Sequence, residues 1–186
     1  MRDVTFKTSV FLSFPKPHMQ RQDKFVAVLC GYLDERGLTA RTLGVTDYDS
    51  DAPLTAIRRL MLESNGLIAI AFRRSHHDRM VVNANSDIGD RPERVVKGSW
   101  STSIWAHVEP AMAYQLGLPI LLLREHGVLA EGIFERGVVG LYSPEFDLAT
   151  DPADFLKSSE WQQIVRQWEG RVMRVAENKG RPPQLY

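Results

Sequence analysis

The chain has 186 residues, of which 44% are hydrophobic and 25% charged, and these values are typical of one globular domain rather than a disordered segment. Basic and acidic side chains number 23 each, so the charge balance gives no support to binding of a nucleic-acid backbone. Cys30 is the only cysteine, which excludes an internal disulfide. No apolar run is long enough to cross a bilayer and the N-terminus lacks a signal-peptide core, so we predict a cytoplasmic protein without membrane contacts.

The first half of the chain alternates between predicted strands and helices. An apolar run at Val10–Phe14 predicts the first strand, and apolar residues at helical spacing up to Gly37 predict the first helix. A short strand at Thr39–Leu43 and a loop at Asp47–Pro53 follow. A second helix is predicted to end at Asn65-Gly66.

The second half contains two continuous apolar runs, at Leu67–Phe72 and Pro119–Leu123, which predict the third and fourth strands. Continuous rather than alternating apolarity is typical of parallel strands that are covered on both faces. Between them, Arg73–Ser101 is polar, and we predict a long insertion that is more mobile than the sheet and lies near the mouth of a pocket. A helix separates the fourth strand from a last predicted strand at Val138–Tyr142.

The order of these elements predicts an α/β fold. We expect a flavodoxin-like three-layer sandwich, in which a five-stranded parallel sheet of order 2-1-3-4-5 has helices on both faces. The apolar stripe from Trp161 to Val175 predicts a closing helix within a single domain over residues 1–179, followed by a loose tail at Gly180–Tyr186. Ligands of such sheets bind at the carboxyl ends of the strands, near the switch in strand order.

Glu109 is the first candidate for chemistry. It lies before Pro110 and near the carboxyl end of the third strand, where a carboxylate can stabilise an oxocarbenium ion or attack a sugar carbon. The alternative is an acid that caps a helix. Trp105 shares a helical face with Glu109 and would wall a site for a flat base, unless it is a core tryptophan. Arg73, Arg74 and Arg79 flank the end of the third strand and would meet phosphates, unless they belong to a solvated loop.

Several other kinds of site are excluded or unsupported. Neither a G-x-x-x-x-G-K-[ST] nor a G-x-G-x-x-G segment is present, so nucleotide binding by those two devices is absent. Ser13 has no G-x-S-x-G setting, which leaves a serine-hydrolase elbow unsupported. His76-His77 and His107 lack zinc-type spacing, so we predict no metal site.

Three segments together resemble TIR domains in order and spacing. Ser9–Phe14 resembles their opening strand, Asp23–Val26 with the apolar positions up to Gly37 resembles their first helix, and Ser103–Glu109 resembles the serine, tryptophan and glutamate motif of their third helix. The resemblance covers the chain from about Ser9 to Tyr142. It implies that Glu109 is the catalytic residue of an NAD-cleaving enzyme, in which NAD is the substrate and no further cofactor is needed.

The resemblance also implies roles for other residues and partners. Phe14 and Trp105 would pack against the flat groups of the nucleotide, while Ser13 and Arg73 would contact its hydroxyls or phosphates. The products would be linear or cyclic ADP-ribose. Bacterial TIR proteins of this size often serve in antiphage defence, which implies that role and a homo-oligomer or a partner effector protein.

Two alternatives remain open. Glu109, Ala113, Gly117 and Pro119 reproduce the spacing around the nucleophilic glutamate of nucleoside 2-deoxyribosyltransferases, which implies a nucleoside or nucleotide transferase or N-glycosidase of the same fold. Phe14-Pro15 replaces the glycine-containing turn of that family, which favours the TIR interpretation. A TIR-like interaction module without enzymatic activity is the third hypothesis.

Overall fold

The computed structural model of the chain describes residues 7–140 and 143–178. Its strands are β1 (Thr8–Ser13), β2 (Leu38–Arg41), β3 (Leu67–Ala71), β4 (Ser75–Val82), β5 (Arg94–Ser101), β6 (Ile120–Glu125) and β7 (Glu145–Phe146). Its helices are α1 (Gln20–Glu35), α2 (Pro53–Leu62), α3 (Trp105–Gln115), α4 (Pro152–Lys157) and α5 (Ser159–Glu177).

Five of the strands form one parallel sheet of order β2-β1-β3-β6-β7. Counted without β4 and β5, this is the predicted flavodoxin-like order 2-1-3-4-5, so the prediction of the fold class is confirmed. The three continuous apolar runs form β1, β3 and β6, which are adjacent and central. They share one register, in which Ser13 lies opposite Ala69 and Ala69 lies opposite Leu122.

The alternation of side chains along each strand divides the core into two layers. Val10 and Leu12 of β1 point to the face covered by α1, α4 and α5, where Trp161 is completely buried. Phe11 of β1 belongs to the other face, which α2 and α3 cover. Ser13 follows Phe11 by two positions and therefore lies on the α2/α3 face.

The predicted last strand at Val138–Tyr142 is wrong for the residues that the structure describes there. Residues 136–138 form a turn and Val139 a bend; Gly137 adopts a φ of 93°, and its N–H donates to the Gly140 carbonyl at 3.0 Å. Residues 141–142 lie outside the described residues. The fifth strand is instead the two-residue β7, whose Phe146 stacks on Phe25 with 4.0 Å between ring centroids.

The helix predicted between the fourth and fifth strands is also wrong. A single 3-10 turn, Gly132–Phe134, occupies that part of the described chain. Gly132 has a φ of 57° and packs against the imidazole of His107, so the segment turns instead of continuing as a helix. Phe134 is nonetheless buried in the layer beneath α3.

The insertion predicted at Arg73–Ser101 is an antiparallel β-hairpin rather than an irregular loop. β4 and β5 pair over their whole length, from Ser75 opposite Ser101 to Val82 opposite Arg94. Half of their residues are exposed and only Ser99 is buried, so the hairpin adds little to the core. Its mobility relative to the sheet stays a prediction.

The predicted tail at Gly180–Tyr186 lies outside the described residues. Over residues 7–140 and 143–178, no helix has the length and apolar character that crossing a bilayer requires. The closing helix is confirmed as α5, with Trp161, Val165, Trp168 and Val172 on its buried face.

Candidate active site

Helix α3 begins close to the carboxyl edge of the sheet. The N–H of Trp105 donates to the Ser103 hydroxyl at 3.3 Å, and the N–H of Ala106 donates to the Ser103 carbonyl at 3.0 Å. Serine is a favoured residue at a helix start because it accepts such N–H groups. Gly117, with a φ of 71°, lies beyond the last turn of α3.

The buried face of α3 determines where Glu109 lies. Ala106, Pro110 and Ala113 are buried at intervals of four and three residues, and they pack toward the small side chains of Ala69 and Ala71 on β3. Small residues on both elements bring helix and strand close together. Glu109 follows Ala106 by three positions, so it lies at the border of the buried face and is half-buried.

Glu109 does not cap the helix. It is the fifth residue of α3, beside Pro110, whose ring nitrogen cannot donate to the carbonyl of Ala106. The alternative of an acid that caps the helix is therefore wrong. The carboxylate is therefore free to face the carboxyl edge of the sheet.

Ser13 and Glu109 meet at this edge. Ser13 is the last residue of β1 and only 2% exposed, and its hydroxyl hydrogen-bonds the Glu109 carboxylate. Burial raises the pKa of Glu109 above its ordinary value, and the hydrogen bond from Ser13 acts in the opposite direction. Among the described residues, no charged side chain contributes to this pKa.

Apolar side chains flank Glu109 on the solvent side. Trp105 lies one helical turn before Glu109 and is 42% exposed, and the preceding Ile104 is 71% exposed. Trp105 is therefore not a core tryptophan. An exposed indole beside a carboxylate offers a flat apolar surface for a planar ring.

Phe14 lies on the other side of the sheet from this pair. It packs against the core cluster beneath α1, α4 and α5, whereas Ser13 faces α3. The alternation of side chains at the end of β1 separates the two residues. The structure thus brings Ser13, Trp105 and Glu109 to one face, and it does not bring Phe14 to that face.

Arg73 is engaged within the protein. Its Nε donates to the His126 carbonyl at 2.6 Å and lies 3.7 Å from Oε1 of Glu125. Its guanidinium also stacks over the ring of Trp100, at 5.7 Å from the centroid. These contacts join the ends of β3, β5 and β6, and we call Arg73 and the residues it contacts here the brace.

Gln22 and Glu125 complete this brace, and neither was selected from the sequence. Glu125 is 3% exposed, accepts the Arg73 backbone N–H at 2.8 Å and accepts the Gln22 amide at 3.3 Å. Burial raises the pKa of Glu125, and the Arg73 and Gln22 contacts oppose that shift. One signal was available in the sequence, because Glu125 is a charged residue directly after a buried strand, as Arg73 is.

The three histidines that were considered as metal ligands lie on different elements: His76 and His77 on the hairpin and His107 on α3. His76 pairs with Asp78 at 3.2 Å and His77 lies 3.0 Å from the Ser101 hydroxyl, both on the hairpin. His107 packs edge-on against Phe134, and burial lowers its pKa. Over the described part of the chain, no three His, Cys, Asp or Glu side chains gather as a metal-binding group.

A cavity of about 440 Å³ lies at another part of the sheet. Ile120 of β6, Phe134 and Trp168 of α5 contribute to its lining, with Gln167 and Arg171 supplying polar groups. Neither Ser13 nor Glu109 lines it.

Comparison with known proteins gives similarities of fold. No protein-family model matches the chain, and no curated protein matches it. A solved structure of the Clostridium botulinum CMP N-glycosidase BcmB is 15% identical, with a TM-score of 0.49 over 86% of this chain and 99% of that one. The TIR domains of the activated Roq1 resistosome, which recognises the pathogen effector XopQ, are 15% identical, with a TM-score of 0.42 over 92% of this chain and 84% of that one.

Both TM-scores lie below 0.5, so neither likeness identifies what this chain binds or cleaves. The fold class rests on the strand order that the structure itself shows. The chain is therefore a flavodoxin-like α/β protein similar in structure to a TIR domain and to an N-glycosidase, and its chemistry has to be argued from Ser13, Glu109 and their surroundings.

Proposed function

We propose that this protein cleaves the bond between nicotinamide and ribose in NAD, with Glu109 as the catalytic residue. One observation supports this function above the others: a half-buried carboxylate lies at the carboxyl edge of a parallel sheet, held by the Ser13 hydroxyl and without a basic partner among the described residues. Breaking an N-ribosyl bond develops positive charge on the sugar. A fixed carboxylate stabilises that charge without having to move.

The isolation of Glu109 favours a substrate that itself carries positive charge. A buried carboxylate without a counter-charge is costly, and a cationic ligand removes part of that cost when it binds. The nicotinamide ring of NAD is a pyridinium cation. When its bond to the ribose breaks, the bonding electron pair moves to the ring nitrogen and the ring leaves as a neutral base. Water then adds to the sugar carbon and releases a proton to the solvent.

This leaving group explains why one carboxylate is sufficient. A neutral nucleoside base leaves readily only after a second acid protonates it. A pyridinium needs no such proton. The exposed face of Trp105 would stack on the ring, and Ser13 would keep Glu109 oriented and ionised.

A second candidate is a nucleoside or nucleotide deoxyribosyltransferase or N-glycosidase. The observation that favours it is the spacing of Glu109, Ala113, Gly117 and Pro119 along α3 and into β6. In that reaction the Glu109 carboxylate would attack the sugar carbon, and the base would leave with a proton from solvent or from another group. The released base distinguishes the two candidates.

The test is to incubate the purified protein with NAD and, separately, with deoxynucleosides and pyrimidine nucleotides, and to identify the products by mass spectrometry. The proposal expects free nicotinamide with linear or cyclic ADP-ribose. Glu109→Gln should reduce turnover about a hundredfold or more, because it keeps the size and loses the charge. Glu35→Gln, at an exposed position of α1, is the matched control and should leave turnover unchanged.

A stability measurement shows that the loss is not a loss of folding. The folded pKa of Glu109 lies above its unfolded value, so the ionised carboxylate costs stability increasingly as the pH rises through these two values. Glu109→Gln should therefore raise the free energy of unfolding at neutral pH, and the gain should vanish in acid. Wild-type turnover in this variant would contradict the catalytic role. An inactive wild-type protein that self-associates would favour the interaction module.

A further inference from the structure

The two strands of the hairpin carry an unusual arrangement of polar side chains on one face. In the register of β4 and β5, three consecutive same-face pairs lie opposite each other, and every side chain in them can donate a hydrogen bond. We call this face the donor strip, and it consists of Ser75 with Ser101, His77 with Ser99, and Arg79 with Lys97.

The donor strip contains no acidic residue. Asp78 is the only acidic residue in either strand. It alternates to the opposite face, where it pairs with His76 at 3.2 Å. The cross-strand neighbours of Arg79 and His77 on the strip are therefore cationic or neutral.

The Arg79 and Lys97 pair is unfavourable for the isolated hairpin. Like charges directly opposite each other destabilise a pair of strands. Both side chains are exposed, and neither forms an ion pair with any described residue. An anion bound between Arg79 and Lys97 would attract both side chains and so replace their mutual repulsion by a favourable interaction.

Ser99 gives a second, independent indication of a ligand. It is only 5% exposed, and its hydroxyl has no hydrogen-bond partner among the described residues. A buried hydroxyl without a partner is costly unless something absent from the protein satisfies it. Gly98 has a φ of 62°, and the pairing is interrupted at Asp78 and Gly98. The register resumes without an extra residue, with His77 opposite Ser99 and Arg79 opposite Lys97, so Ser99 shares the face of Lys97.

The base of the donor strip lies between the end of β3 and the start of α3 in the chain. The Arg74 N–H donates to the Ser101 carbonyl at 3.0 Å at the base of the hairpin, and α3 begins a few residues after Ser101. Arg79 and Lys97 lie four positions further along their strands than Ser75 and Ser101, the pair at the base of the hairpin, which corresponds to about 14 Å. The strip thus leads from the carboxyl edge of the sheet outward.

We infer that the donor strip binds the phosphate groups of the nucleotide whose glycosidic bond Glu109 cleaves, an inference that rests on the proposed function. Hydroxyl, imidazole, ammonium and guanidinium groups are the side chains that bind phosphate oxygens. Arg73, the other basic residue near the strand ends that was selected for this role, is committed to Glu125 and His126.

The first test compares substrates with and without phosphate. For the double variant Arg79→Gln/Lys97→Gln, the KM for NAD should rise about tenfold with kcat retained, since two charge-assisted contacts are lost. The kcat/KM for nicotinamide riboside, which has no phosphate, should change much less. Arg94→Gln, which lies opposite Val82 on the other face, is the control and should change neither. An equal loss for both substrates, or none for either, would overturn the inference.

The second test does not depend on turnover and so separates this inference from the proposed function. Calorimetric titration with inorganic pyrophosphate at low salt should show binding to the wild-type protein and to Arg94→Gln, and loss of binding in the double variant. Ser99→Ala should weaken binding several-fold without lowering Tm, because it removes a hydroxyl that the fold leaves unsatisfied. Absence of pyrophosphate binding to the wild type, or undiminished binding to the double variant, would show that the charges serve only to keep the exposed strands from aggregating.

Discussion

At the residue scale, burial and the hydrogen bond from Ser13 have opposite effects on the Glu109 carboxylate. The buried surroundings of Glu109 raise its pKa and disfavour the ionised form, whereas the hydrogen bond from Ser13 lowers the pKa and favours it. Stabilising an oxocarbenium ion requires the ionised form. Ser13 is therefore a positioning residue whose removal should be visible in the dependence of turnover on pH.

Ser13→Ala should move the acidic limb of the pH–rate profile to higher pH. The hydrogen bond lowers the pKa of Glu109, so its removal raises that pKa and decreases the ionised fraction at any acidic pH. At a pH above the pKa of Glu109 in both proteins, the rates should converge. Ser9→Ala, at the other end of β1, is the control. An unshifted acidic limb would show that Ser13 does not govern the ionisation of Glu109.

The sequence predicted Glu109 and Ser13 as site residues, and the structure brings them into contact. Ser13 ends the apolar run of β1 at the carboxyl edge of the sheet, and Glu109 ends the Ser103–Glu109 segment that leads into α3, so a local sequence pattern marks each of them. The environment of Arg73 was not predictable in this way. Its contacts with Glu125 and His126 arise from the pairing of β3 with β6, which brings together residues that are distant in the chain.

At the element scale, the approach of α5 to the amino ends of β3 and β6 depends on one glycine. A Cβ at Gly66 would lie 2.6 Å from Cγ2 of Val172 and 3.2 Å from Cζ2 of Trp168. The indole N–H of Trp168 donates to the Pro119 carbonyl at 3.0 Å, which fixes the helix at this distance. The absent side chain of Gly66 thus permits the close packing of helix on sheet.

Gly66→Ala should lower the free energy of unfolding by about 1–3 kcal/mol, because Val172 and Trp168 must shift within a packed core. Gly31→Ala is the matched comparison. Gly31 lies in the middle of α1 with no atom within 4 Å of the added Cβ, so this change should stabilise the protein by about 0.5–1 kcal/mol. Urea unfolding of both variants measures the difference. Equal effects would contradict the role assigned to Gly66.

The elements that the sequence predicted correctly are those that burial determines. β1, β3 and β6 are covered on both faces, so their apolar runs stand out from the polar segments around them. β7 has only two residues, and its place is determined by pairing with Arg124 and Glu125 rather than by any pattern of its own. β4 and β5 are largely exposed on both faces and are held by each other, so no apolar alternation marks them.

At the scale of the whole molecule, the buried carboxylate of Glu125 connects four segments. Gln22 joins it from α1, Arg73 from the end of β3, and the Arg73 guanidinium continues to His126 and to Trp100 of the hairpin. A buried charge that loses its partner destabilises a protein far more than a surface charge does. This brace should therefore control global stability rather than substrate binding.

Arg73→Ala should lower the free energy of unfolding by about 1–3 kcal/mol, a range that allows for the partial exposure of Arg73. The folded pKa of Glu125 is already raised, and loss of Arg73 raises it further. The destabilisation should therefore be largest at neutral pH and decline as acid protonates Glu125. Adding Glu125→Gln should restore most of the loss, and Arg74→Ala, at an exposed position, should have little effect.

A different outcome for Arg73→Ala would indicate that Arg73 binds substrate. If the variant keeps its stability but the KM for NAD rises, Arg73 binds substrate and the brace is dispensable. Chemical unfolding over a range of pH, together with the steady-state assay, distinguishes these outcomes.

The hairpin leaves the fold and returns to it at neighbouring points, since Arg74 and Ser101 are joined by a backbone hydrogen bond at its base. Its tip, residues 83–93, joins β4 to β5, and these two strands pair with each other and with no strand of the parallel sheet. Each doubling of such a loop costs only about 0.6 kcal/mol in chain entropy. The length and sequence of the hairpin tip can therefore change while the parallel sheet and Glu109 stay the same. Descendants of this protein could in this way acquire a new ligand preference and keep the same reaction.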